Sequence, residues 1–528
     1  LNLISRIAGA ARLLATGKLA PSTGFEGAQM QRRLLAWRAG GESINSLILQ
    51  GGALQRARAR QLVRSNPYAS NAAASFTAHA VGCGIKPSSL VEDGALKDRI
   101  QRLWLGWTDE ADADGLTDFY GLQAMAARAM FEAGECFLRF RPRRPEDPGS
   151  GPGQAPLTVP LQVQMLSSEH LPLGKCETLP NGNEIIFGIE LDRIGRRVAY
   201  HFHRTHPGDV RQRGTGELVR VPAEQVLHVF HPIAEGQIRG VPWVAPAMVR
   251  LWLLDQYDDA ELDRKKVAAM FAGFVTRPGP DDVMGEDSAQ KDQDGAALIG
   301  LQPGTMQLLL PGEDIKFSDP ADVGGSYEAF QYRTLLACCA AMGVPYTNVT
   351  GDLRQANYSS LREGKLEFRR RIEQLQHNTL VFQLCRPVWQ RWIRDAVLAG
   401  ALELPGFAAN PAPYLAVKWI PPKWDWVDPL KDRKAEIEAV EAGLKSRSDV
   451  IESEGYDAEE VDRRIAADHA REQELGLKFG GPQPLGPNRR SRSILRIVSA
   501  RRRARNRQHE ELVRVPRPGS GRRDRDLR

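Results

Sequence analysis

The stretch 343–373, GVPYTNVTGDLRQANYSSLREGKLEFRRRIE, changes character twice, and its reading decides how the chain is put together. Residues 326–342 before it read as helix, and Gly343 with Pro345 ends that helix, through a left-handed cap and through the bias of a pre-proline residue away from helix. No period persists from 344 to 359, which marks a loop. Ser360 and Glu363 then stand at capping-box spacing. Beyond them Leu361, Phe368, Ile372, Leu375, Phe382, Trp389 and Ile393 fall at a near 3-4 alternation, the stripe of a long helix facing a packed neighbour. Pro387 is expected to kink it.

Working towards the N-terminus, 273–324 is rich in Gly, Asp and Pro, with short apolar runs AALIGL and TMQLLL and the turn Pro311-Gly312, a small unit inserted between helices. Residues 241–272 read as helix, with Val249, Leu253, Tyr257, Ala260, Val267 and Phe271 as a stripe roughly 33 Å long. From 157 to 230 the period drops to two: LQVQMLS, NEIIFGIELD and RRVAYHFHR, broken at Asn181-Gly182 and Gly195, predict antiparallel strands. Residues 61–140 read as helices, one started by Asn66-Pro67 and ending at Gly82 and Gly84, another carrying Phe119, Leu122, Met125, Ala126 and Met130 after Trp104 and Trp107. RPRRPEDPGSGPGQAP, 141–156, is a loop by composition. Residues 1–60 are Ala/Arg-rich and weakly periodic, and read as an arm. Towards the C-terminus, Asp428 and Pro429 have cap and first-turn chemistry for a helix ending at Gly443, and two short helices follow from Ser448 and from Asp457 to about 475. The sum is an α+β protein.

At 528 residues the chain is about three to four times a typical domain length, so several packed units are expected. With 42% hydrophobic and 26% charged residues, wholesale disorder is excluded. The formal charge of +6 hides an asymmetry. Residues 489–528 hold fifteen Arg, no Lys and four acidic residues, which leaves 56 basic against 61 acidic residues in 1–488. The body is mildly acidic, and the tail is expected to be disordered. Cys83, Cys136, Cys176, Cys338, Cys339 and Cys385 form no CxxC pair and are expected to be reduced thiols in a cytoplasmic setting. No run approaches the roughly 18 apolar residues that span a bilayer, and Arg6, Arg12 and Lys18 break the opening segment, so neither a membrane helix nor a signal sequence is expected.

The search for chemistry is mostly negative. There is no GxxxxGK[ST], no GxSxG and no HExxH. In YHFHRTH, strand alternation puts His201 and His203 on one face, with His206, His228 and His231 nearby in sequence, but no carboxylate or Cys stands at ligand spacing, so a solvated sheet face is the better reading and no metal is expected. Asp255, Asp258, Asp259, Glu261 and Asp263 spread over too wide a helical arc to converge as a nuclease site. Arg369, Arg370 and Arg371 read as a charged outer helix face. No catalytic residue and no cofactor is expected.

The order of parts resembles the lambda-type portal proteins of tailed bacteriophages. The resemblance is carried by SNPYASNAAASFTAHAVGCGIKPSS (65–89), DADGLTDFYGLQAMAARAMFEAGECFLRFR (112–141), GIELDRIGRRVAYHFHRTHPGD (188–209), VPAEQVLHVFHPIAEGQIRGVPWVAPAM (221–248), DAELDRKKVAAMFAGFVT (259–276), the opening stretch 343–373, LCRPVWQRWI (384–393) and WDWVDPLKDRKAEIEAVEAGLKSRSDVIESEGYD (424–457). It reaches from about 60 to 475.

The resemblance implies a portal fold that closes into a ring, commonly of twelve subunits, at one vertex of a capsid assembled in the bacterial cytoplasm. Double-stranded DNA would be packaged and ejected through the ring. Its partners would be further copies of itself, the terminase large subunit, the major capsid or scaffold protein and a head-tail connector, with no membrane. By similarity, 61–240 would be the wing, 241–272 and 325–342 the stem, 273–324 the clip, 343–358 a tunnel loop, 359–410 a long wing helix and 411–475 a crown. The arm 1–60 and the basic tail 476–528 lie outside. The loop residues Asn348, Thr350, Asp352, Arg354, Gln355 and Asn357 would face the DNA, and Asp255, Asp258 and Asp259 would line the stem. An acidic lining suits weak, sequence-blind contact, since each cation on a phosphate deepens a well through counterion release. Two other readings are a DNA-processing enzyme, either a nuclease or a packaging ATPase subunit, and a nucleic-acid-binding protein acting through the tail.

Overall fold

A computed structural model describes residues 40–144, 157–209, 216–269, 273–276, 290–291, 297–298, 314–317, 326–354, 358–424 and 429–477. The chain divides into two units, Leu1–Asp457 and Ala458–Arg528.

Where an arm was expected up to 60, helix α1 (Ile44–Ser65) already begins at a Ser43 cap whose Oγ accepts from Ser46 N at 3.2 Å. Its buried face, Ile48, Gly52, Arg56, Ala59, Leu62 and Val63, keeps helical spacing. The pattern is hard to see in sequence because a glycine and an arginine occupy two of its positions. Asn66 ends α1 and caps α2 (Pro67–Ala80), accepting from Ala69 N at 3.0 Å with Pro67 in the first turn, as expected. Strand β1 (Lys86–Ser89), α3 (Gly94–Thr108) and α4 (Phe119–Glu132) follow. The α2 alanines 69, 72, 73 and 80 are fully buried.

Residues 135–142, read above as the end of a helical region and the start of a loop, are strand β2 (Glu135–Pro142). Gly134, at φ 87°, ends α4, and beyond it Cys136, Leu138 and Phe140 alternate with Phe137, Arg139 and Arg141. β2 is the centre of an antiparallel sheet with β3 (Leu161–Ser167) on one side and β9 (Val226–Phe230) on the other. A second antiparallel sheet runs in order β4 (Glu177–Thr178), β5 (Glu184–Ile186), β6 (Ile189–Leu191), β7 (Arg197–His203) and β8 (Leu218–Pro222). NEIIFGIELD is therefore a hairpin rather than one strand. Phe187 and Gly188 both take positive φ, 54° and 80°, as a two-residue turn matched to strand twist requires.

The expected helix over 241–272 is shorter, α5 (Met248–Ala269), because Pro242 and Pro246 disfavour helix before it. In the inserted unit β10 (Gly273–Thr276) pairs with β13 (Asp314–Phe317), and β11 (Gln290–Lys291) with β12 (Ala297–Leu298). TMQLLL lies outside the described residues. Helix α6 (Ser326–Met342) has the expected bounds, with Gly343 at φ 67°. The expected loop contains a short helix, α7 (Tyr346–Thr350), closed by Gly351 at φ 72°.

Helix α8 (Tyr358–Leu375) begins before Ser360, so the Ser360/Glu363 pair lies inside it and not at its cap. It continues as a π-helical segment, Gln376–Cys385, into α9 (Arg386–Leu398), which carries Pro387 in its first turn and ends well before 410. The wider π turns alter the phase of the stripe: Phe368, Ile372, Leu375, Trp389 and Ile393 are buried, whereas Phe382 is 60% exposed. After α10 (Ala412–Leu415), strand β14 (Val417–Ile420) pairs with β1, a long-range link that nothing local announces. α11 (Pro429–Glu441) and α12 (Arg447–Ser453) close the first unit, the latter with a Ser446/Asp449 capping box. The described part of the second unit contains α13 (Ala458–Leu475).

One core joins α1 to α4, the inner face of β2 and β3, the start of α5, the end of α6 and α8 to α9. At its centre Trp104, Trp107, Trp389 and Trp392 meet with ring centroids 5.0 Å apart for Trp104 against each of the other three. A smaller core lies between the sheets around Phe137, Tyr200 and Phe202. All six cysteines are free.

Candidate nucleic-acid interface

The interface expected from sequence comprises α5, α6 and the segment joining α6 to α8. Tyr257 packs on Phe330, Asp258 bonds to Tyr327 and Gln331, and Arg250 acts on Cys338, so α5 and α6 run in opposite directions. Asp258 accepts from the Tyr327 hydroxyl at 2.9 Å and from Gln331 Nε2 at 3.2 Å. Burial and this carboxylate push the Tyr327 phenol up to about 12. Asp255 accepts from Asn66 Nδ2 at 3.5 Å. Of the three aspartates expected along the stem, Asp255 and Asp258 are thus engaged within the subunit and half-buried, and Asp259 is exposed. Glu261 pairs with Arg264 at 2.6 Å and Asp263 with Lys266 at 3.1 Å, so the acidic run does not converge.

The joining segment is pinned at several points. Asn71 Nδ2 donates to the carbonyls of Asn348 and Val349, each at 2.9 Å, and Asn348 Nδ2 returns a bond to Ser75 Oγ at 3.1 Å. Thr350 Oγ1 donates to Tyr346 O at 2.9 Å and accepts from Asp352 N at 3.1 Å. Trp243 Nε1 holds Met342 O at 2.6 Å. Arg354 bonds both oxygens of Asp352, at 3.0 and 2.9 Å, and lies 3.2 Å from Glu328 of α6. Two carboxylates thus offset its charge, and they raise its pKa. Gln355 and Asn357 lie outside the described residues.

Helices α5 and α6 also carry an apolar surface that no described residue covers. Leu251 and Leu254 are buried, but Val249, Trp252 and Leu253 of α5 are 68, 56 and 53% exposed, and Phe330 of α6 is 52% exposed. Of the expected stripe, Val249 and Leu253 thus face outwards, Tyr257 packs on Phe330, and Phe271 lies outside the described residues.

The sequence reading missed a buried ionic hub at the start of β2. Glu135, at the start of β2, is wholly buried. Its Oε1 accepts from Arg239 Nε at 2.7 Å and lies 3.5 Å from Arg56 Nη2; its Oε2 accepts from His228 Nε2 at 2.9 Å and from Gly240 N at 2.7 Å. Arg239 donates further to the carbonyls of Ser168, Leu171 and Phe187 at 3.1, 3.1 and 2.9 Å. Arg197 Nη1, which can only donate, faces His228 Nδ1 at 3.2 Å, so the imidazole proton sits on Nε2 and the ring is neutral. Burial raises the Glu135 carboxyl, but Arg239, the His228 bond and Arg56 overcome it and hold it well below the usual range. Burial pushes His228 down to about 4. The hub ties α1, both sheets and the Gln237–Gly240 turn together. Its signal in the sequence was charge inside apolar runs, in GECFLRF and GQIRGVPW.

His201 does find a carboxylate. Glu190, buried, lies 3.3 Å from its Nε2, and also takes Arg220 at 2.7 Å and Asn183 at 2.8 Å. Arg220 and its bond come first in holding Glu190 down to about 2. Among the described residues no set of three His, Cys, Asp or Glu could hold a metal ion. Arg369 lies over the Trp424 ring at 5.4 Å, and Arg371 pairs with Glu367 at 2.6 Å. No described helix is long and apolar enough to cross a membrane.

The probable portal protein of Halomonas phage phiHAP-1 is 27% identical over 414 residues, 77% of this chain and 76% of that protein. Portal protein B of Escherichia phage lambda is 21% identical over 493 residues, 84% of this chain and 89% of that protein. Among solved structures, a chain from the neck of an empty GTA particle aligns with TM-score 0.42 at 16% identity, over 79% of this chain and 94% of its own length. The profile of phage portal proteins, lambda family, matches residues 30–376, from before α1 to the end of α8, and the chain belongs to that family of structural, non-catalytic capsid components.

Proposed function

We propose that this portal protein closes, with copies of itself, into a ring of twelve at one capsid vertex, and that double-stranded DNA is packaged and ejected through the hole. The observation that carries the reading is the apolar stem surface of Val249, Trp252, Leu253 and Phe330, left exposed in one chain beside a groove between α5 and α6 lined by Leu254, Tyr257, Thr334 and Ala337. An exposed apolar patch on a structural protein marks an interface, and a head-to-tail contact that closes makes a ring. In this reading 61–240 is the wing, 241–272 and 325–342 the stem, 273–324 the clip, 343–358 the tunnel loop, 359–410 the wing helix and 411–475 the crown, while α1 extends the wing into the expected arm.

The tunnel loop would present Asn348, Thr350, Asp352, Arg354, Gln355 and Asn357 to passing DNA, and the stem Asp255, Asp258 and Asp259. Asn348 and Thr350 are already engaged by their own chain, and Arg354 is offset by Asp352 and Glu328, which fits a lining that touches a polyanion without gripping it. The remaining partners in this reading are the terminase large subunit, the major capsid or scaffold protein and the head-tail connector, with assembly in the host cytoplasm. Negative-stain images of the purified chain test the proposal: annuli with a central hole are expected, and solid particles or monomers at micromolar concentration overturn it.

A further inference from the structure

On the outer face of β2, opposite the tryptophan core, Arg139 and Arg141 stand at alternate positions, about 7 Å apart, and Arg143, just past the end of the strand, continues the alternation. Glutamines, not carboxylates, hold Arg141 and Arg143. Gln164 Oε1 takes Nε of Arg141 at 2.9 Å and also its Nη2, and Gln162 Oε1 takes Nε of Arg143 at 2.8 Å. Each glutamine is fixed at its other end: Gln162 Nε2 donates to Glu110 O at 3.0 Å, and Gln164 Nε2 to Asp114 Oδ1 at 3.2 Å. Arg139 Nε is buried without a hydrogen-bond partner.

A neutral amide oxygen orients a guanidinium and leaves its charge uncancelled. Burial lowers the Arg141 pKa, and Arg139 and Arg143 lower it further, while Asp114 counters from a distance. A fold that sets three mutually repelling cations side by side, half out of water, and fixes two of them through neutral amides has a face made for an anion.

We propose that the Arg139–Arg141–Arg143 face is a docking site for an acidic polypeptide segment of a partner protein, whose Asp and Glu carboxylates take the unused guanidinium N–H groups. The arrangement of these groups favours this class over duplex DNA. With Arg139 Nε out of solvent and the Nε edges of Arg141 and Arg143 taken by glutamine, the remaining N–H groups suit carboxylates on flexible stems better than the ridge of a rigid duplex. The net acidic charge of residues 1–488 also repels a duplex at longer range.

The test uses the full-length assembled protein, a labelled twelve-residue Asp/Glu peptide carrying a photo-cross-linker, the matching Asn/Gln peptide and a duplex of equal charge. Cross-links are expected in 137–143 and 162–166, with affinity at least ten-fold weaker in R139Q/R141Q/R143Q at unchanged melting temperature. Arg139→Gln alone, which breaks no hydrogen bond at Nε, keeps the test valid if the triple variant misfolds, and is expected to weaken binding several-fold. Cross-links confined to 489–528, equal binding of the neutral peptide, or tighter binding of the duplex to this face overturn the proposal. So does a ten-fold gain in peptide affinity in E146Q/D147N, which would make the occupant the chain's own loop.

Discussion

Replacing Glu135 by Gln is the sharpest test of the hub. The carboxylate accepts from three donor residues, Arg239 at Oε1 and His228 and Gly240 at Oε2, and the Arg56 guanidinium lies 3.5 Å from Oε1 without a hydrogen bond. Gln keeps the shape but turns one oxygen into an NH2 group, which then opposes Arg239 at one position or both His228 and Gly240 at the other. It also leaves two buried guanidinium groups without their counter-charge. Removing one partner of a buried pair typically costs about 3–5 kcal/mol, and stranded donors add to that rather than offset it. The loss should therefore be about 4 kcal/mol, read by urea unfolding followed through the fluorescence of the tryptophan cluster. Replacing both ends, Glu135→Leu with Arg239→Met, is expected to cost less than Glu135→Gln alone, because no unpaired charge remains buried. If the single variant lost under about 1 kcal/mol, or the double variant lost more than the single, the hub would not be the ionic tie described.

Other outcomes follow from the same geometry. Stability should fall as pH drops from 6.5 towards 4, because the unfolded chain protonates His228 at its ordinary value while the folded chain resists to about 4; the Glu135 contribution is lost below that, and His228→Asn should flatten the upper part of the pH profile of urea midpoints. Gly240→Ala should fail to give folded protein by circular dichroism, since its Cβ would stand 2.2 Å from Gly134 O, in a backbone-to-backbone contact that cannot give way. Asn71→Ala frees the carbonyls of Asn348 and Val349, and hydrogen exchange should quicken by about ten-fold at 346–351 while α3 and α4 stay protected. Arg354→Ala should leave the melting temperature and the salt dependence of DNA binding unchanged, because Asp352 and Glu328 already offset this cation.

Much of the architecture was legible along the chain because local chemistry wrote it. Asn66-Pro67 caps and starts α2, Gly343 ends α6 where its left-handed φ requires, and the two-residue period of 197–203 is a strand. The family was legible too, because the order of such segments over several hundred residues survives divergence better than any one motif. Other features depended on residues far apart in sequence. Glu135 and Arg239 lie more than a hundred positions apart and become partners only when β2 and the Gln237–Gly240 turn meet, and charge in an apolar run says that a partner exists without saying which. β14 is a strand because β1 lies beside it. The aspartates of α5 could be placed on a helix from sequence, but whether they met solvent or Tyr327 was set by the packing of α6. Periodicity reports which side of an element is apolar; the neighbour that covers it, or leaves Trp252 bare, is fixed by tertiary contacts that carry no local signature.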